Sequence, residues 1–282
     1  MNLPQGDGMR LRFVTAFTLL PFLVLIVWLP MLRWVYVAMI AALVLIGARE
    51  FFTMAARTGI EVAGRSGTLL AGVLAVSAGF AGNGGYAPHV VLTLAVFAVA
   101  TVHLFSARHT IAGLSTSVFG LLYVGYCGSF FVALHQIPEQ GPALITMLIV
   151  LIGCSDTGAY LVGKAIGRHK LAPTVSPNKT IEGSTAAVIS AALAGVVLFA
   201  LKSGLDWHSY PDWPLSAYVI AGIFLSVVGQ MGDLVESLLK RNAGVKDSGT
   251  LFPGHGGVLD RCDAFLFGGP ALYYMTLYLG TM

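Results

Sequence analysis

Charge is what this chain has least of. Its 282 residues include 16 Lys and Arg and 13 Asp and Glu, together 10% of the sequence, against 56% hydrophobic residues. A water-facing surface carries roughly 25–35% charged residues, so the chain lacks the material for a soluble domain. A mean hydropathy of +0.81 points the same way. Cysteine is scarce as well: Cys127, Cys154 and Cys262 lie in or beside apolar runs, with no CxxC spacing. An odd count without a framework argues against a disulfide scaffold or a zinc site and fits small membrane-buried side chains. Internal repeats and low-complexity segments are absent too. The net charge of +3 says little by itself; its distribution along the chain says much more.

What is abundant is apolar sequence in runs long enough to cross a bilayer, about 20 residues each as helix. The expected fold class is therefore all-α: a polytopic integral membrane protein of about nine transmembrane helices. They are placed at roughly 11–29, 33–55, 67–82, 89–107, 111–134, 142–163, 183–202, 215–239 and 258–280. Pro30, Gly59, Pro88, Pro138, Pro142 and Pro214 fall near the breaks, where helix breakers belong. The third segment, with Gly67, Gly72, Gly79 and Gly82, also admits a half-buried reading. The opening "MRLRFVTAFTLLPFLVLIVWLP" has the charged and apolar parts of a signal peptide, but no small-residue cleavage site follows, so it reads as an uncleaved first helix.

Basic residues orient the bundle. With the N-terminus cytoplasmic and the C-terminus periplasmic, the cytoplasmic side receives 14 of the 16, and only Arg33 and Lys202 fall outside. The chain then divides into an N-terminal set of helices, 1–140, for packing and lipid access, and a C-terminal catalytic region, 141–282. The latter carries two longer cytoplasmic loops, 164–182 and 240–257.

Those loops and the helices beside them hold the polarity. Ser237–Phe265, "SLLKRNAGVKDSGTLFPGHGGVLDRCDAF", packs seven charged residues, one histidine and five glycines into 29 positions. Seven of the 13 acidic residues lie in this region: Asp156, Glu182, Asp233, Glu236, Asp247, Asp260 and Asp263. An ionised carboxylate in an apolar segment is costly unless paired or metal-bound, so each is a functional candidate, weighed against plain interhelical salt bridges. Asp233, Ser237 and Lys240 share one helix face, and Asp260 and Asp263 project together from the start of the last helix. Between them "FPGHGG" stops the helix and turns the chain back. Clustered carboxylates beside Lys and Arg suit a hard cation and phosphate groups. In Ser155–Ser184, Lys164, Arg168, His169 and Lys170 precede Ser176-Pro177, which reads as an N-cap and first-turn pair.

Three lookalikes fail. "GAYLVGKA" has the spacing of a phosphate-binding loop, but Ala165 replaces the final Ser/Thr and the stretch reads as helix. "SPNK" lacks the companion K-T-G of penicillin-binding proteins. "GQMGD" has Gln230 where the G-x-G-D of the intramembrane aspartyl proteases has its first glycine. The histidines are scattered without ligand spacing, and only His255, inside "PGHGG", has a functional reading.

The region 150–282 resembles the phosphatidate cytidylyltransferase family, the CDP-diacylglycerol synthases. The pattern is filled at Ser237, Lys240, Arg241, Lys246, Asp247, Ser248, Pro253, Gly254, His255, Gly256, Gly257, Asp260, Arg261 and Asp263. Upstream, "DTGAYLVGKAIGRHKLAPTVSPNKTIEG" is similar to the family's second conserved region. The resemblance implies transfer of CMP from CTP to phosphatidate, with magnesium required, by a multi-pass homodimer in the bacterial inner membrane. No nucleic-acid partner is expected. On that reading Asp233, Asp260 and Asp263 hold metal, and Ser237 adds an oxygen ligand or phosphate contact. Lys240, Arg241, Lys246 and Arg261 hold phosphates, as do Ser176 and Lys179 for the nucleotide, with Asp247 and His255 also at the binding site. The rivals are a CTP-dependent prenol or dolichol kinase, disfavoured by the complete C-terminal pattern, and a transporter, disfavoured by charges gathered at one face.

Overall fold

The computed structural model describes residues 22–81, 87–106, 110–251 and 256–280. Most of the expected 11–29 helix lies outside the described residues, as do Arg10, Arg12, Arg108, Pro253, Gly254 and His255; residues 22–28 are helical. A 3-10 turn at Pro30–Leu32 leads into α1, Arg33–Arg57. There follow α2, Gly64–Ala78, α3, Ala87–Leu104, and α4, Ile111–His135, which runs as a π-helix over Leu121–Tyr126. The C-terminal half has α5, Gly141–Ile166, a hairpin of β1, Lys170–Ala172, and β2, Ser176–Thr180, then α6, Ile181–Gly204, α7, Leu215–Asn242, and α8, Leu259–Gly280.

Six of these helices are long and apolar enough to cross a membrane: α1 with its leading turn, α3, α4, α5, α6 and α7. The 15 residues of α2 rise only about 22 Å, short of a roughly 30 Å hydrocarbon layer. Asp260, Arg261 and Asp263 load the start of α8 with charge. Large apolar side chains such as Leu94, Phe97, Ile189, Leu193 and Ile220 point outward, as in a protein whose solvent is lipid. The core holds Tyr36, Phe51, Leu74, Tyr123, Leu148 and Tyr218.

Polar contacts divide between the two ends of the bundle. At one end, Arg33 Nη2 donates to Gly79 O at 2.9 Å and Gln136 Oε1 at 2.7 Å, and Lys202 Nζ pairs with Asp212 Oδ1 at 2.5 Å. These are the two basic residues that the charge distribution sets apart. At the other end lie the C-terminal ends of α1, α5 and α7 and the N-terminal ends of α6 and α8, joined by the contacts described below.

The 164–182 segment differs from the expected loop. It is an antiparallel hairpin, with Lys170 opposite Thr180 and Ala172 opposite Ser176. Ser176-Pro177 therefore lies in β2 and does not start a helix. Thr180, still extended at φ −123°, caps α6 by accepting from Gly183 N at 3.2 Å. Pro177 lacks the N–H that a fully paired strand needs, which a two-stranded ribbon tolerates. Glu182 in the first turn of α6 pins the hairpin, accepting from Arg168 N at 3.1 Å and pairing with His169 Nδ1 at 2.6 Å.

Candidate active site

The site starts from two glycines on α7. A Cβ at Gly232 would lie 2.5 Å from Asp263 O, and one at Gly229 would lie 3.5 Å from Ala264 Cβ. Missing side chains at this crossing let α7 and α8 approach backbone to backbone. The approach sets Asp233 and Glu236 of α7 beside Asp263 of α8, with one carboxylate oxygen of each within 4.8 Å of the others.

Glu236 is fully buried. Its Oε2 pairs with Lys240 Nζ, four residues on, while Oε1 has no hydrogen-bond partner among the described residues. Asp233 Oδ2 is 2.7 Å from Lys179 Nζ of β2, and its Oδ1 accepts a long bond, 3.4 Å, from Ser237 Oγ. From the π-helical part of α4, the buried Tyr123 hydroxyl, also without a hydrogen-bond partner among the described residues, stands within electrostatic reach of all three carboxylates. Buried polar atoms are nearly always satisfied, so two orphans around one carboxylate group call for a partner such as a water or an ion. The donors are hard oxygens, the set that suits a divalent cation such as magnesium.

Asp260 lies beside this group, next to Glu236 through their shared Lys240. Its Oδ1 takes Lys240 Nζ at 2.7 Å, and its Oδ2 accepts from Ser248 N, Ser248 Oγ and Gly257 N, each at 2.8 Å. Lys240 thus bridges Glu236 and Asp260. A residue from the other half of the chain joins them: Glu50 of α1 accepts from Val258 N at 3.1 Å, Leu259 N at 2.9 Å and Ser248 Oγ at 3.2 Å.

Beside the carboxylates opens a cleft of about 500 Å³ between α5, the hairpin, α6 and α7. Asp156, Lys164, Asn178, Lys179 and Ser184 line it, and Asp233 connects it to the carboxylate group. Ser184 Oγ donates to Gln230 Oε1 at 2.5 Å, fixing that amide toward the cleft wall.

The structure thus brings Asp233, Asp263, Ser237, Lys179 and, through Glu236, Lys240 together. Arg241 turns to the hairpin, its Nε donating to Val175 O at 3.2 Å. Lys246, Asp247 and Arg261 are exposed, and Ser176 is half-buried in β2. His255 lies outside the described residues. Sequence reasoning named Glu236 a functional candidate and Ser248 a member of the family pattern without giving either a role, and did not single out Glu50 or Gln230. The signal for Glu236 was present, since it is three residues from Asp233 and four from Lys240. Glu50 is an acidic residue inside an apolar run, the same criterion that singled out Asp156.

Comparison with known proteins identifies the family. The model of the Cytidylyltransferase family matches residues 10–279. The chain belongs to that family. As a cytidylyltransferase it is an enzyme of the nucleotidyltransferase class, and the match extends through the N-terminal helices as well as the C-terminal pattern. A protein of Synechocystis sp. named phosphatidate cytidylyltransferase is 35% identical over 278 residues, covering 87% of this chain and 89% of its own length. Proteins of the same name from Bacillus subtilis and Staphylococcus aureus are 44% and 41% identical, over 154 and 158 residues. These two alignments span 55% of this chain and 55% and 57% of the relatives.

Proposed function

We propose that the protein transfers CMP from CTP to phosphatidate, giving CDP-diacylglycerol and pyrophosphate for phospholipid synthesis. The observation that carries this is the group Asp233, Glu236 and Asp263, opening on a lysine-lined cleft at one end of a lipid-exposed bundle. In the reaction a phosphate oxygen of the lipid forms a bond to the α-phosphorus of CTP. The bond from that phosphorus to the bridging oxygen breaks, and pyrophosphate leaves with the electron pair. A phosphate dianion is already a nucleophile at neutral pH, so no general base is needed.

The obstacle is repulsion between two polyanions. Asp233, Glu236 and Asp263 would hold magnesium, which supplies charge neutralisation for the nucleotide phosphates. Lys179 and Lys164 line the cleft and supply fixed positive charge for the nucleotide. Ser237 stands ready as a hydroxyl contact beside Asp233. Lys240 holds Glu236 and Asp260 in place, and Lys246 and Arg261 are exposed for phosphate groups arriving from the membrane surface. The apolar outer surface of the helices presents the acyl chains, while the phosphate end meets the carboxylates at the bundle end.

The finer topology belongs to the same proposal: nine spans, N-terminus cytoplasmic, C-terminus periplasmic, in a bacterial inner (cytoplasmic) membrane. Its support is the gathering of basic residues at the site end and the bacterial source of the relatives. A homodimer rests on the family resemblance. The test is pyrophosphate release by purified protein in detergent. Release that requires both CTP and phosphatidate supports the reading. CDP formation with a prenol acceptor overturns it in favour of a kinase.

A further inference from the structure

Glu50 sits about 200 positions before the residues it touches, in a helix that the chemistry does not otherwise use. Its Oε1 accepts from Val258 N at 3.1 Å and its Oε2 from Leu259 N at 2.9 Å, the amides at the entry to α8. Those amides have no intrahelical acceptor, and a carboxylate there also complements the positive end of the helix. Ser248 is the third contact. Its hydroxyl lies 3.2 Å from Glu50 Oε2 and 2.8 Å from Asp260 Oδ2, so one proton stands between two carboxylates. The surrounding backbone leaves room for this and little else. A Cβ at Gly257 would come within 2.5 Å of both Glu50 oxygens.

Asp260 carries the connection inward. It holds Lys240 at 2.7 Å, and Lys240 pairs with the buried Glu236 of the carboxylate group. The chain of contacts therefore runs Glu50, Ser248, Asp260, Lys240, Glu236, from the N-terminal half to the centre of the site.

We propose that Glu50 is a positioning residue: it clamps the segment around Ser248 and the first turn of α8, and so fixes Asp260, Lys240 and Glu236. The proposal rests on the function stated above, and it gives the N-terminal half a defined part in the reaction. Loss of the clamp leaves every substrate-facing group in the protein but lets the Asp260–Lys240–Glu236 chain move. Turnover then falls more than nucleotide binding does.

The test uses the full-length protein in detergent, with Glu50→Gln, Ser248→Ala and the double variant. Glutamine keeps the size but removes the charge and replaces one acceptor oxygen with a donor. Amide hydrogen exchange over residues 256–262 should accelerate about tenfold or more in Glu50→Gln, with exchange in α5 and α6 unchanged. The value of kcat should fall about ten- to hundred-fold, the scale of charge-assisted hydrogen bonds, while KM for CTP stays within about threefold. Because both variants break one chain, the double variant should lose no more than about the worse single one. If Glu50→Gln does not fold, Ser248→Ala alone must lower kcat at least about threefold. Unchanged local exchange, additive losses, or a lower melting temperature with normal kcat per folded molecule would overturn the proposal. The exchange measurement needs no substrate. A wild-type protein that releases no pyrophosphate would defeat the function and leave that measurement standing.

Discussion

The crossing of α7 and α8 gives a pair of substitutions with opposite outcomes. At Gly232 a new Cβ would stand 2.5 Å from Asp263 O, 3.3 Å from Asp263 C and 3.4 Å from Ala264 Cα. All three atoms are backbone inside a helix, so no flexible tip can step aside. A carbon–oxygen contact settles at about 3.3–3.6 Å, so α8 has to withdraw by close to 1 Å. Overpacking of that kind costs about 1–3 kcal/mol, and alanine in a helix interior offsets about 1 kcal/mol of it. Gly232→Ala should therefore fold, with a melting temperature lower by a few degrees at most. Activity is the sensitive quantity, because the withdrawal moves Asp263 away from Asp233 and Glu236. A displacement of about 1 Å at reacting groups costs on the order of a hundred-fold in rate.

Gly229 is the control, three residues earlier on the same face. There the nearest atoms to a new Cβ are Ala264 Cβ at 3.5 Å, Ala264 O at 3.7 Å and Ile152 Cδ1 at 3.9 Å, all ordinary contacts. Gly229→Ala gains the helix propensity without a clash, so stability should rise by about 1 kcal/mol and turnover stay within about twofold. The assay is CTP- and phosphatidate-dependent pyrophosphate release per folded molecule, with melting temperature measured beside it. Wild-type turnover in Gly232→Ala, or equal losses in both variants, would refute the idea that this helix spacing sets the carboxylate geometry.

Three further outcomes follow from the same site. Asp263→Asn, nearly isosteric, should keep its melting temperature and lose about a thousand-fold or more in turnover; an unaltered magnesium titration with near-normal turnover would remove the metal role. Lys179→Ala removes the partner of Asp233 and a cation of the cleft. KM for CTP should rise about ten- to hundred-fold with normal membrane expression, and an unchanged KM would place the nucleotide elsewhere. A reporter fused after Met282 should read the periplasm and one inserted within 164–182 the cytoplasm; the same side for both would defeat the nine-span topology.

Much of this architecture is legible in the sequence because membrane helices are constrained by length and polarity alone. The expected 111–134, 215–239 and 258–280 differ by a few residues from Ile111–His135, Leu215–Asn242 and Leu259–Gly280. The hairpin escaped, since β1 and β2 are only three and five residues long and carry no alternating apolar face to announce them. At the site, spacing on one helix names the residues but not the partners each one meets. Asp260 and Asp263 do point the same way, but three residues rise about 4.5 Å along the axis. That rise leaves Asp260 at the loop, where Ser248 and Gly257 occupy it, and carries Asp263 inward to α7. Glu50 was out of reach of any spacing argument. Its partners are some 200 residues away, and only the folded chain brings them together.

The scarcity of charge bears on what the site holds. A carboxylate withdrawn from water needs a compensating charge, and a site serving only structure would close that balance with its own cations. Here three carboxylates, Asp233, Glu236 and Asp263, meet two lysines. One of these, Lys240, is shared with a fourth carboxylate, Asp260. Among the described residues Asp263 has no ion pair, and its Oδ1 accepts only from Ala264 N at 2.7 Å. Lys246, in the adjoining sequence, is exposed at the surface. The negative excess is local, buried and aimed at the junction between the cleft and the α7–α8 crossing. A divalent cation arriving with a nucleotide triphosphate would balance it, which supports a metal role tied to substrate binding rather than a permanent salt-bridge network.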